Sequence, residues 1–296
     1  MTVLIGEIAA LGSALIWAVA ARIYGQIGQR ISPLLLNFSK GAIALGIGAG
    51  VIVLGRLPWP HFPATATGWL ILSGIVGIGL GDSCYLAALK EIGPRRTLLL
   101  ESLAPPVAAL LAWASFGETI GIKAWLGIVL TVLGVTWVIL ERTTDVTVRS
   151  KHPYRGVIWG LLAALGQASG SVMSRFALTT SDLDPFWTML IRVLAGMVTV
   201  LILLGRSPLP ERQFPPFQWR WVLLLAGTAF ASTFLAILGQ QTALKYASAG
   251  IAQALLATSP LFILPIAAWS GEKLSFRAIA GVGVAMVGIT LLLSYR

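Results

Sequence analysis

Three ionisable residues, Lys40, Asp82 and Glu101, stand inside stretches that are otherwise apolar. Asp82 closes the run "GIVGIGLGD" at 74–82. A charge at the centre of a membrane helix costs about 2.5–3.5 kcal/mol on insertion scales, so charges so placed are either compensated or functional. Counted along their segments at about 1.5 Å per residue, the three fall at one level, roughly 8–12 Å inside the same face. Lys40 can therefore meet either acid, and Gly79 and Gly81 let a neighbouring helix approach Asp82 closely. Once one acid pairs with Lys40, the other lacks a counter-charge and becomes the group able to take up a proton. Two readings stay open: a buried ion pair that sets helix register, or a site that couples protons or substrate.

Arg192 is the matching cation in the second half of the chain. The segments beside it offer Gln240, Gln241, Gln253, Thr258 and Ser259 rather than acids. Asp182 and Asp184 stand at the entrance of the Arg192 segment, with Arg175 as their expected partner. Arg192 either binds carbonyls and snorkels or meets a carboxylate or phosphate on a ligand, which suits a guanidinium fork. Trp17, Tyr85 and Gln167 are further polar or aromatic groups within apolar runs. With Arg192, Gln240 and Gln241 they form the expected substrate-binding set, although Trp17 and Tyr85 also suit packing or an interface. No catalytic group is expected. His61 and His152 lie in connections, and no HxxxH, DxxD or HExxH spacing occurs. "GIGLG" falls within an apolar segment, not after a strand. A membrane enzyme is thus the weakest class, and neither metal nor cofactor is expected. Cys84 stands alone, so neither a disulfide framework nor a CxxC pair can form.

What must position these residues follows from composition. Of 296 residues, 57% are hydrophobic and 11% charged, and the mean hydropathy is +0.86. A soluble domain carries about a quarter charged residues, and one soluble core stops growing near roughly 250–300 residues. The implied solvent is a bilayer. The net charge of +10 is scattered among apolar segments, as flanking anchors rather than a nucleic-acid stripe. Ten segments are long enough to cross about 30 Å of hydrocarbon as helices: 4–24, 32–54, 68–89, 97–116, 122–140, 156–177, 186–204, 219–243, 249–270 and 276–294. The polar connection "ERTTDVTVRSKHPYR" (141–155) separates a first unit, 1–140, from a second, 156–296. "AVAA" at 18–21 resembles a signal cleavage site, but no basic stretch precedes it, so the first segment is expected to be retained.

The two units repeat each other. Leu89-Lys90 aligns with Leu244-Lys245, Pro105 with Pro260, Gly117-Glu118 with Gly271-Glu272, and Gly127 and Gly134 with Gly281 and Gly288. Pro33 aligns with Pro185 and Lys40 with Arg192, and the offset stays between 152 and 155. Five segments per unit is odd, so the second unit enters the membrane inverted. The expected fold is an all-α integral membrane protein of ten transmembrane helices in two inverted five-helix repeats, with a site between them and alternating access. Pro105, Pro106, Pro260 and Pro265 interrupt the fourth and ninth segments, which makes Pro105 and Pro260 candidate hinges or cavity walls. The paired glycines suit packing of the fifth segment on the tenth, or a homodimer contact. The Gly-Glu pairs suit helix ends. The cavity is expected between the first, third, fourth, sixth, eighth and ninth segments.

The "GDSCYLAAL" run, the "LLLESLAPPVAALLAWASFGE" helix and the "ATSPLFILPIAAWSGEKLSFRAIAGVGVAMVGITLLL" tail resemble the drug/metabolite transporter superfamily, EamA type. The resemblance covers nearly the whole chain. It implies a ten-helix, multi-pass secondary transporter of the cytoplasmic membrane, commonly an exporter of amino acids or other small amphipathic metabolites, and the charge cluster adds proton or exchange coupling as an expectation. A channel or a lipid or drug flippase is the alternative. The excess of Lys and Arg on the face that carries the 141–155 connection puts both termini outside, whereas the resemblance implies cytoplasmic termini.

Overall fold

Alternating runs of apolar residues with Ser, Asp, Gly and Pro at their ends dictate helices with defined starts and stops. A computed structural model describes residues 2–116, 121–140, 153–207, 218–246, 252, 255–269 and 275–293. The Gly-Glu pairs at 117–118 and 271–272, Gln253 and most of the 141–155 connection lie outside the described residues. No strand occurs among those that are described.

The helices are α1 (Thr2–Ile27), α2 (Pro33–Gly55), α3 (Ala64–Ser73), α4 (Asp82–Glu101), α5 (Ala104–Phe116), α6 (Ile122–Leu140) and α7 (Pro153–Thr179). They continue as α8 (Pro185–Arg206), α9 (Trp219–Ala229), α10 (Ala236–Tyr246), α11 (Ser259–Trp269) and α12 (Phe276–Leu293). Two π-helical segments, Gly74–Gly81 and Phe230–Leu235, join α3 to α4 and α9 to α10. Among the described residues, six stretches are long and apolar enough to cross a membrane: Leu4–Ile27, Pro33–Gly55, Ala64–Glu101, Pro153–Thr179, Pro185–Arg206 and Trp219–Tyr246. Trp125–Val138, Ser259–Trp269 and Ile279–Leu291 are shorter apolar helices.

Helix ends follow local chemistry. The Ser32 hydroxyl accepts from the Leu35 amide at 3.2 Å ahead of Pro33. An Asp184 carboxylate oxygen accepts from the Phe186 amide at 2.8 Å ahead of Pro185. Each supplies the side-chain cap that a proline-started helix needs. The 38-residue stretch Ala64–Glu101 is not one rod. Gly93 has φ 78° and ψ 170°, a conformation open to glycine, and Pro94 excludes helical geometry before it. The chain therefore turns at Gly93, within the expected 90–96 connection.

The prolines differ from the sequence expectation in one respect. Pro105 and Pro106 lie in the first turn of α5, after a break at Ser102–Leu103, and Pro260 lies in the first turn of α11. Proline is tolerated there because the first-turn amides have no helical acceptor. These three residues therefore begin helices instead of kinking their interiors, and of the four expected breaks Pro265 alone stands inside a helix.

α6 packs along α12, α4 along α7, and α1 along α10. The α6–α12 seam uses the paired glycines: a Cβ on Gly134 would stand 2.6 Å from the Gly281 carbonyl oxygen, and one on Gly288 2.7 Å from the Gly127 carbonyl oxygen. These glycines are thus covered within the chain. Gly134→Val should lower stability by about 1–3 kcal/mol, because backbone atoms cannot yield as side chains do. Thermal unfolding in detergent checks this, with Gly46→Val, whose added Cβ meets no atom within 4 Å, as the control.

Candidate functional site

A cavity of about 110 Å³ opens between the helices, room for several water molecules or a small organic solute. α1 contributes Trp17 and Tyr24, α2 Lys40, and the first π-helical segment Gly77 and Gly81. α4 adds Asp82, Tyr85 and Glu101, and α7 adds Gln167. α8 supplies Arg192, the second π-helical segment Ser232, α10 Gln240, and the starts of α5 and α11 Pro105 and Pro260. The lining thus includes α2 and α8 as well as the segments expected from sequence.

The π-helical turns explain how the carboxylate arrives here. Asp82 bonds its amide to the Gly77 carbonyl five residues back, which inserts one extra residue and rotates everything after it. Lys40, 6% exposed, pairs with Asp82. Glu101 ends α4 at the break before Ser102, whose hydroxyl donates to the Leu99 carbonyl at 2.6 Å. Asp82 acts electrostatically on both Glu101 and Arg192. The three charges grouped by depth therefore share one cavity wall, with Lys40 committed to Asp82. Among the described residues, Glu101 has no ion-pair partner.

Arg192 does not snorkel; it is 1% exposed. Gly77 makes this possible, because a Cβ there would stand 3.3 Å from a guanidinium nitrogen of Arg192. One guanidinium nitrogen donates to the Gln240 side-chain carbonyl at 3.3 Å. The Arg192 Nε and the Gln240 amide nitrogen are buried without a protein partner among the described residues. Two buried donors so placed are costly unless something accepts from them.

Gln240 and Gln241 separate, as residues about 100° apart on a helix must. Gln240 lines the cavity, whereas Gln241 turns to α7 and accepts from the Ser174 hydroxyl at 2.5 Å. Tyr24 and Ser232 are lining residues that the sequence reading passed over. Tyr24 lies seven residues after Trp17, on the same helical face, a spacing that could have found it. Ser232 is one of three hydroxyl residues, with Thr228 and Thr233, in the apolar run 221–239, and only the π turn gives it a special place. No cluster of three metal-ligating side chains occurs among the described residues.

Comparison with known proteins adds the following. The sequence model of the EamA-like transporter family matches residues 4–140 and 154–294. A protein of Synechocystis sp. described as an uncharacterized transporter is 27% identical over 253 residues, covering 76% of this chain and 71% of the relative. A solved crystal structure superposes with a TM-score of 0.69 at 14% identity, over 97% of this chain and 94% of the other, and so shares the fold.

Proposed function

Because the chain belongs to the EamA-like transporter family, we propose that it moves a small amphipathic metabolite by alternating access around the cavity just described. Membership and the apolar helices make it a multi-pass membrane transporter of small molecules. The finer reading has ten membrane crossings as two inverted five-helix units, 1–140 and 156–296, joined by 141–155, in the cytoplasmic membrane. Several features support it. The family model covers two stretches, the helix caps Ser32 and Asp184 match in position, and the π-helical segments end 154 residues apart, at Gly81 and Leu235.

One observation carries the choice of substrate. The buried Arg192–Gln240 pair leaves donors unused, while Glu101 leaves a carboxylate unpaired, within one cavity. Such a site suits a solute with an anionic group for Arg192 and a cationic or donor group for Glu101, as in an amino acid, between the aromatic faces of Trp17 and Tyr85. Export is the proposed direction, and protons or counter-substrate the proposed coupling. Pro105 and Pro260, at the breaks that open onto the cavity, are the proposed hinges.

Purified protein in liposomes should exchange amino acids of this class with saturable kinetics, and non-saturating flux at channel rates would refute the proposal. Arg192→Met should cut kcat/KM roughly tenfold to a hundredfold, the worth of a charged hydrogen bond. An unchanged value would remove Arg192 from the substrate site.

A further inference from the structure

Each π-helical segment passes over one backbone carbonyl. The Asp82 amide bonds to the Gly77 carbonyl, and the return to ordinary helical bonding skips Ile78. The Ala236 amide likewise bonds to the Ala231 carbonyl and skips Ser232. Ile78 and Ser232 are 154 residues apart, within the repeat spacing. Both orphaned carbonyls recruit a side chain, from different places. Asn37 Nδ2 donates to Ile78 at 2.9 Å, from the same unit. Trp17 Nε1 donates to Ser232 at 3.2 Å, from the other unit.

Two more bonds follow the same face of α1. The Ser232 hydroxyl donates to the Thr228 carbonyl at 2.8 Å, so in its 2.8 Å contact with Tyr24 the tyrosine is the donor. The Ser13 hydroxyl shares its one proton between the Ala9 carbonyl of its own helix at 2.7 Å and the Ala236 carbonyl at 2.9 Å. The equivalent seam of the first π-helical segment is different. There Gly77 and Gly81 meet Gly170 and Gly166 on α7, where a Cβ on Gly170 would stand 3.0 Å from the Gly77 Cα. One side-chain bond, from Ser73 to the Gly170 carbonyl at 2.6 Å, crosses that seam. Gly166 and Gly170 occupy the places of Ser13 and Trp17, 153 residues on. One seam is therefore held by side chains on the cavity face, and its counterpart is mainly backbone laid on backbone, with the Ser73 bond beside it.

We propose that Ser232 is a positioning residue that latches α1 to the α9–α10 stretch through Trp17 and Tyr24, and that the cavity opens by release of this latch while the glycine seam serves as the close-packed pivot. All three residues line the cavity, so a donor group on an entering solute competes with Trp17 for the same carbonyl. Occupancy then favours the released state, since only a ligand with different affinities for two states can shift them. The inference rests on the alternating-access reading.

The test is thiol labelling in lipid nanodiscs, with Gln167→Cys as reporter in a Cys84→Ala background and a cationic methanethiosulfonate as reagent. Tyr24→Phe keeps the ring and removes one donor, and Trp17→Phe removes one donor while keeping an aromatic, though smaller, side chain. Each should raise the labelling rate roughly three- to tenfold, the factor one hydrogen bond contributes to an opening equilibrium. Asn37→Leu empties the matching carbonyl within one unit and should leave the rate unchanged. Unchanged rates in both Phe variants overturn the latch, and so does an equal rise in Asn37→Leu. If one Phe variant does not fold, the other carries the measurement. Labelling needs no substrate: saturable exchange with unaltered labelling sinks the latch alone, and latch-dependent labelling without saturable exchange sinks the transport reading alone.

Discussion

Lys40→Met should lower the stability of the purified protein by more than the double change Lys40→Met/Asp82→Asn. Lys40 is 7% exposed at its side chain and Asp82 24%, so the pair is largely removed from water. Deleting one partner leaves the other as an uncompensated charge, at a cost of about 3–5 kcal/mol when burial is complete. The partial exposure of Asp82 puts the expected loss toward the lower end. Neutralising Asp82 as well removes the orphan and should recover most of it, because an amide in that place is far easier to bury than a carboxylate. Thermal midpoints of the three proteins in one detergent decide the matter. A double variant no better than the single would mean that the residues are not energetically coupled.

Glu101→Gln should abolish substrate accumulation driven by a pH gradient, while folding is kept and exchange between equal pH compartments persists at a reduced rate, because the amide oxygen still accepts from a donor group on the solute. The acid of the cluster without an ion-pair partner is the group proposed to carry a proton, since Lys40 is committed to Asp82. Glutamine keeps the shape and hydrogen-bonding capacity of a protonated glutamate but cannot cycle a proton. Asp82→Asn is the necessary companion, and it should lower stability as well, because it leaves Lys40 unpaired. Full gradient-driven accumulation in both variants would take the proton away from this cluster. Lys40–Asp82 would then be an anchor for α2 and α4, with coupling carried by exchange.

Much of the architecture was legible because burial in a bilayer imposes a local rule. A helix that crosses hydrocarbon must be apolar along its own length, so the runs, their ends at Pro33 and Pro185, and the odd charges within them stand out without knowledge of any neighbour. The same rule marks Lys40, Asp82, Glu101 and Arg192 as costly, hence as candidates. It gives no warning of where a helix departs from regular geometry. Asp82 was expected inside an ordinary helix over 68–89, yet it follows a π-helical turn, and "GIVGIGLG" reads equally well as plain helix. The glycine content permits that turn, and the packing of α7 and α8 against it selects it.

The sequence by itself determined the solvent, the helices and which charged residues stand within apolar runs, because each depends on residues near one another in the chain. Tertiary structure decided which groups meet. Lys40 could have paired with Glu101 instead of Asp82, since depth leaves the rotation of each helix open. Gln240 and Gln241 differ by one position, and only the placement of α7 beside α10 sends one to the cavity and the other to Ser174. Arg192 is buried rather than snorkelling because Gly77, on a helix 115 positions earlier in the chain, leaves room for its guanidinium. Pairing depends on side-chain direction across helix contacts, and neighbouring positions on one helix point about 100° apart, so periodicity and composition alone leave the partner undetermined.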